Sequence, residues 1–206
     1  MIDATSDPNP SAKDRSKLAV VTDTGPLLCF GHIPTGVRMF RDRYYERICW
    51  PQAVARELER HCRRFGAVGD AAKQWTPRVI RFLGDPVVIE KHQDIADMHS
   101  RVQNMMPEDR RDGREGMDQG EAEVLVIARN EKRAMLCNEQ WARRVADQLS
   151  IANFCAADII AAEVQGGKLT AAQGFAHLRA MSTSGIDHGG RVRGPLDLTQ
   201  WPTPAP

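Results

Sequence analysis

Four acidic spots in this chain occur where carboxylates could act together. They are Asp23, Glu57, the group Asp118, Glu121 and Glu123, and Glu139. Carboxylate oxygens are preferred ligands of hard cations such as Mg²⁺ and Mn²⁺. Gathered carboxylates also repel one another, and a cation relieves that repulsion. The chemistry such a set suits is attack of water on a phosphodiester, with the metal activating the water and stabilising charge on the departing oxygen. Each acid alone has a plainer use. Asp23 can cap a turn, Glu57 can sit solvated on a helix flank, and acids at 118–123 can complement a helix dipole. Asn138-Glu139 can simply start a helix. The set, in these positions, is what points to a metal site.

The surrounding elements must place these groups. Leu18–Asp23 is a short β-branched run ended by Gly25-Pro26, which reads as a buried strand with Asp23 at its carboxyl end. Open α/β sheets form their ligand crevice at that end. Pro51 opens a helix that runs to Arg63, and Glu57 on it lies beside Val54 and His61. Of the six histidines, none with zinc-ligand spacing, His61 is the one on a face with a candidate acid. Asp118 opens a helix to Asn130 that is apolar nearly all round over Val124–Ala128, and is therefore buried. Glu121 shares a face with Val124, Leu125 and Ala128, and is preferred to Glu123 without excluding it. Ala134–Cys137 reads as a second strand of the Asp23 kind, with Asn138-Glu139 at its carboxyl end and a helix over Gln140–Leu149 behind it.

The rest of the chain alternates in the same way. Helical stretches fit Leu27–His32, Gly36–Tyr44, Phe65–Trp75, Ile95–Met106, Ala156–Gln165 and a last helix capped by Thr170 and ending near Met181. Further strands fit Glu46–Trp50 and Ile151–Asn153, with Val79–Phe82 and Pro86–Ile89 as short candidates. Strands alternating with helices predict an α/β fold with a mainly parallel central sheet covered on both faces. Residues 1–17 read as a disordered polar leader, 18–181 as the folded domain, 107–117 as a mobile loop with nothing to bury, and 182–206 as a Gly/Pro-rich tail that frays.

Composition narrows the class. At 206 residues, 42% hydrophobic, the chain suits one globular domain plus tails. Twenty-eight basic and 27 acidic residues leave a net charge of +1, so any nucleic-acid footprint must be a local patch. Five cysteines without a Cys-x-x-Cys pair point to a reducing, cytoplasmic setting. No apolar stretch approaches the roughly 18 residues of a membrane span.

Taken in order, the segments Val-Val-Thr-Asp23-Thr-Gly-Pro-Leu, Trp-Pro-Gln-Ala-Val-Ala-Arg-Glu57-Leu, Asp118-Gln-Gly-Glu121-Ala-Glu and Met-Leu-Cys-Asn138-Glu139-Gln-Trp-Ala-Arg143 resemble the PIN-domain nucleases. The resemblance is to the VapC-like toxins and a related Gly-Glu-Ala-Glu subgroup, and it runs from about Leu18 to Met181. It implies a three-layer α/β/α PIN-like fold and an endoribonuclease using Mg²⁺ or Mn²⁺. Asp23, Glu57, Glu121 and Glu139 would hold the metal, with Thr24, Asp118 and Asn138 beside the site. It further implies RNA contact by Arg143, extended by Arg144 and, less directly, by Arg110, Arg111 and Arg114. It also implies a role as toxin in a type II pair, a cognate protein antitoxin and a homodimer. Two acids that are more often Asp in the wider toxin family are Glu here, at 121 and 139, and Asn138 stands where some relatives carry an Asp. That weakened last motif keeps a second expectation open, a non-catalytic nucleic-acid-binding or protein-interaction module on the same fold.

Overall fold

Val20–Thr22 (β1) has three buried residues and no polar break before Asp23, which is what a β-branched run needs to form an interior strand. The computed structural model describes residues 19–75, 80–105 and 119–201. The leader 1–17, the loop 107–117 with its three arginines, and Asp118 lie outside the described residues. β1 pairs in parallel with β2 (Ile48–Cys49) on one side and β3 (Ala134–Leu136) on the other. β3 in turn pairs in parallel with β4 (Asn153–Phe154), giving the order β2-β1-β3-β4. The chain leaves β1 toward one edge and later returns to its other side. The topological switch point therefore falls between β1 and β3, and their carboxyl ends carry Asp23 and Asn138-Glu139.

Helices flank this sheet: α1 (Thr24–His32), α2 (Gly36–Tyr44), α3 (Gln52–Cys62), α4 (Ala67–Lys73), α5 (His92–Met105), α6 (Gln119–Asn130), α7 (Gln140–Gln148), α8 (Ala156–Gln165), α9 (Ala171–Thr183) and α10 (Pro195–Thr199). α6 is the central one. Ala122 to Ala128 are all buried, and the helix packs on α3, α5, β1 and β3. Phe40 on α2 centres an aromatic group with Phe30, Tyr44, Trp75 and Phe82, whose ring centroids lie 5.0 to 6.2 Å from its own. α1 and α4 meet backbone to backbone, because a Cβ on Gly31 would stand 2.2 Å from the Ala71 carbonyl oxygen.

Three local expectations change. Of Val79–Phe82, Val79 lies outside the described residues and Arg81–Leu83 forms a 3₁₀ turn instead of a strand, burying Phe82 and Leu83. A run this short satisfies its apolar side chains in a turn as well as in a ladder. Of Pro86–Ile89, Val87 makes only an isolated parallel bridge with Pro51. The segment after Ser182 does not fray as far as residue 201. Ile186, His188 and Leu198 are buried, and α10, opened by Pro195, packs on α8 and α9. Its apolar residues come singly among glycines, which hides them from any periodic reading.

The five cysteines are free thiols, four of them buried. Among the described residues no helix is long and apolar enough to cross a membrane.

Candidate active site

The carboxyl ends of β1 and β3 open into a cleft of about 250 Å³. Asp23, Glu57, Glu121 and Glu139, from four different elements, all line it. Asp187, from the segment after α9, lines it as a fifth carboxylate, with the backbone at Gly185 and Ile186 beside it.

Asp23 caps α1. Its backbone is extended (φ −89°, ψ 173°) and its Oδ2 accepts from the Gly25 amide at 3.4 Å. The Cys137 thiol, at the end of β3, reaches Oδ2 at 3.7 Å. Burial pushes that thiol well above its ordinary pKa, and the charges of Asp23, Glu121 and Glu139 raise it further. It therefore stays a neutral donor beneath three acids.

Glu57 lies on the cleft side of α3 and is gripped from two directions. Thr24 Oγ1 donates to its Oε2 at 2.6 Å, and His61 Nε2, one turn on, lies 3.2 Å from its Oε1. Gly120, at the start of α6, is what lets that helix come close. A Cβ there would lie 3.4 Å from Asp23 Oδ1 and 3.6 Å from Glu57 Oε2, filling the space between the two carboxylates.

α6 separates its two glutamates. Glu121 faces the cleft. Glu123 points to α3, where its Oε2 accepts from the Ala53 amide at 3.0 Å and its Oε1 from Gln119 Nε2 at 2.8 Å. Ala53 is in the first turn of α3, whose amides have no partner within their own helix.

The last motif brings both of its residues to the cleft. Glu139 lines the cleft and caps α7, its Oε1 accepting from the Trp141 amide at 3.1 Å. Asn138 lines the cleft too, and is buried and tied into the fold. It donates to the Asp187 carbonyl at 2.7 Å and accepts from the Ala156 amide at 3.0 Å. Arg143 donates to the Gly189 carbonyl at 2.6 Å, which ties the final segment to α7, and Arg144 stacks over the Trp141 ring at 4.5 Å. Neither arginine lines the cleft.

Two charged cleft residues escaped the sequence reading. Asp187 sits among glycines with no periodicity around it. Arg64 lies in a run of basic residues that looks like a solvated helix end.

The donor set, all hard oxygen with a Cβ-sized gap between two of its members, fits a divalent cation. Among the described residues no three His, Cys, Asp or Glu side chains are gathered as a metal cage.

An acid-lined cleft lies at the switch point of a parallel sheet. The family DUF3368, described as a PIN domain, matches residues 19–187. The chain belongs to the PIN-domain family, a nuclease-type fold. No curated protein and no solved structure matches it.

Proposed function

We propose that this PIN domain is an endoribonuclease dependent on Mg²⁺ or Mn²⁺, and that it serves as the VapC-like toxin of a type II pair with a cognate protein antitoxin. A cytoplasmic setting and a homodimer belong to the same reading. The observation that carries it is the convergence of Asp23, Glu57, Glu121 and Glu139 on one cleft.

These four would hold the metal, which when bound activates water and stabilises charge on the phosphate and leaving oxygens. Water adds to phosphorus, and the bond to the departing ribose oxygen breaks. The chain's own part is to hold the acids ready. Thr24 and His61 orient Glu57, the Cys137 thiol supports Asp23, and Gly120 keeps the gap between Asp23 and Glu57 open.

The test is RNA cleavage by the purified full chain with Mn²⁺ or Mg²⁺ against a chelator, beside Asp23→Asn and Glu121→Gln. Metal-dependent cutting that falls at least about 100-fold in both variants is expected. Cutting that ignores both substitutions overturns the assignment. Expression in a bacterial host should arrest growth, and Glu121→Gln should relieve the arrest. Unaffected growth would remove the toxin role and leave the nuclease.

The engagement of Asn138 in packing and of Glu139 in capping favours one second reading, an RNA- or protein-binding module without cleavage. Calorimetry separates the two, since that module takes up no divalent cation.

A further inference from the structure

Among the described residues lining the cleft, Arg64 carries the one fixed positive charge, in the company of five carboxylates. An RNA strand is a polyanion, and carboxylates alone would repel it. Arg143 and Arg144 are committed to Gly189 and Trp141. Among the described residues that line the cleft, the cationic contact with substrate therefore falls to Arg64, beside whatever cation the acids hold.

The next residue, Phe65, is 98% exposed. A phenyl ring held wholly in water forgoes the free energy of burial, and here the backbone keeps it there. The α3–α4 turn is built for one shape. The Arg64 amide donates to the His61 carbonyl at 2.9 Å, and the Asp70 amide to the Gly66 carbonyl at 2.9 Å. Gly66 sits at φ +82°, in the region glycine favours. A Cβ on Gly69 would stand 2.0 Å from the Arg64 carbonyl oxygen, so only glycine lets α4 close against that turn. α4 is itself anchored on α1 by the Gly31 approach, and just beyond its end Trp75 Nε1 donates to the Leu27 carbonyl at 2.7 Å. Arg63 is spent on Glu59 at 2.6 Å. The turn thus puts Arg64 in the lining of the acid cleft and the exposed Phe65 at the next position of the chain.

We propose that Arg64 and Phe65 form a single-strand RNA grip at the cleft mouth, with Arg64 holding a backbone phosphate and Phe65 stacking on the adjoining base. This deepens the nuclease reading and rests on it. Base–aromatic stacking tolerates any base, and unpaired nucleotides offer their faces where duplexes do not. The grip therefore selects single strands without selecting sequence.

The experiment is fluorescence anisotropy with a short labelled single-stranded RNA, using the full chain carrying Glu121→Gln so that the strand stays intact. Phe65→Ala in that background should weaken binding about 5- to 150-fold, and Phe65→Trp should keep it. A hairpin duplex should be insensitive to both. Arg64→Ala should reduce the slope of log affinity against log salt by about 0.7. Thermal unfolding should not move with Phe65→Ala, because the ring covers nothing. Unchanged single-strand affinity in Phe65→Ala overturns the grip, and metal-dependent cleavage by the wild-type chain then leaves the nuclease reading standing. Loss of binding to a second copy or another protein, with RNA affinity intact, overturns it in favour of a protein contact. Failure of the chain with Phe65 intact to bind RNA, together with no cleavage by the wild type, overturns both.

Discussion

Thr24 Oγ1 donates a 2.6 Å hydrogen bond to Glu57 Oε2, joining the start of α1 to the middle of α3 across 33 positions of sequence. The residue after the first cleft acid thus sets the orientation of the second. A hydroxyl on a carboxylate is a short, charge-assisted bond, and Thr24 itself is buried, so its geometry is well held. Thr24→Val keeps the shape and removes the donor. Outer partners of this kind are worth about 10- to 100-fold in metal affinity. Calorimetric Mn²⁺ titration should show a loss of that order for Thr24→Val and near-complete recovery for Thr24→Ser. Equal affinity in all three would mean that Glu57 is oriented by His61 alone or does not bind metal.

Gly120 gives a prediction in which stability and activity part company. Its added Cβ would meet Asp23 Oδ1 and Val54 Cγ2 at 3.4 Å, an ordinary contact, so Ala fits without strain. Ala in a helix is favoured over Gly by about 1 kcal/mol. Gly120→Ala should therefore raise or preserve the melting temperature. It also places a methyl between the Asp23 and Glu57 carboxylates, where a cation and its water would sit, and cleavage should fall. A variant that gains stability and keeps full activity would show that the gap is not part of the site.

His188 sets an acid limit on the final segment. The Ala157 amide donates to its carbonyl at 3.0 Å, and the Gly190 amide to its Nδ1 at 3.3 Å, which requires a lone pair there. Burial lowers its pKa, and the neighbouring Asp187 only partly opposes this. A histidine whose folded pKa is depressed binds fewer protons folded than unfolded. Its stabilisation is therefore complete above the unfolded value of about 6.5 and is lost as pH falls from there toward the folded value. Urea midpoints should drop between about pH 7.5 and about pH 5.5, and His188→Gln should flatten part of that drop. His177 is shifted the same way by burial and should supply a further part. A pH response identical in His188→Gln would place the acid sensitivity elsewhere.

How much of this was legible in the residues depends on whether a signal was periodic. The parallel α/β order could be read because β-branched runs such as Val20–Thr22 alternate with helical spacing, and Asp23, Glu121 and Glu139 because they stand at or near element boundaries, whereas Glu57, in the middle of α3, was marked only by its place beside Val54 and His61. α6 hid the facing of its acids. Being apolar nearly all round, it offers no polar face by which to orient Glu121 against Glu123. Asp187 and the buried Ile186, His188 and Leu198 were invisible because they stand singly in a glycine-rich stretch. Arg64 looked like one more charge at a helix end, and only the fold brings it into the lining of the cleft. Burial of an acid is not in itself a mark of function either. Glu163 is as buried as any of them, and is paired with Arg43 at 2.8 Å and Lys168 at 3.2 Å.

The two glutamates of α6 can be told apart by what each loses. Glu123 accepts the Ala53 amide inside the protein, and removing a buried acceptor strands that donor at a cost of about 1–3 kcal/mol. In a chain of this size each kcal/mol moves the melting point by about 2–4 °C. Glu123→Ala should therefore melt several degrees lower and, below its transition, bind Mn²⁺ with affinity near that of the wild type. Glu121 lines the cleft among other carboxylates, so Glu121→Gln removes one negative charge from a crowded set. Mn²⁺ affinity and cleavage should then collapse. Thermal scans with and without Mn²⁺ measure both quantities at once, since a ligand that binds only the folded state raises the melting point by mass action. The Mn²⁺-induced rise should vanish in Glu121→Gln and survive in Glu123→Ala. The reverse pattern would exchange the roles of the two residues, and with them the face of α6 that carries the chemistry.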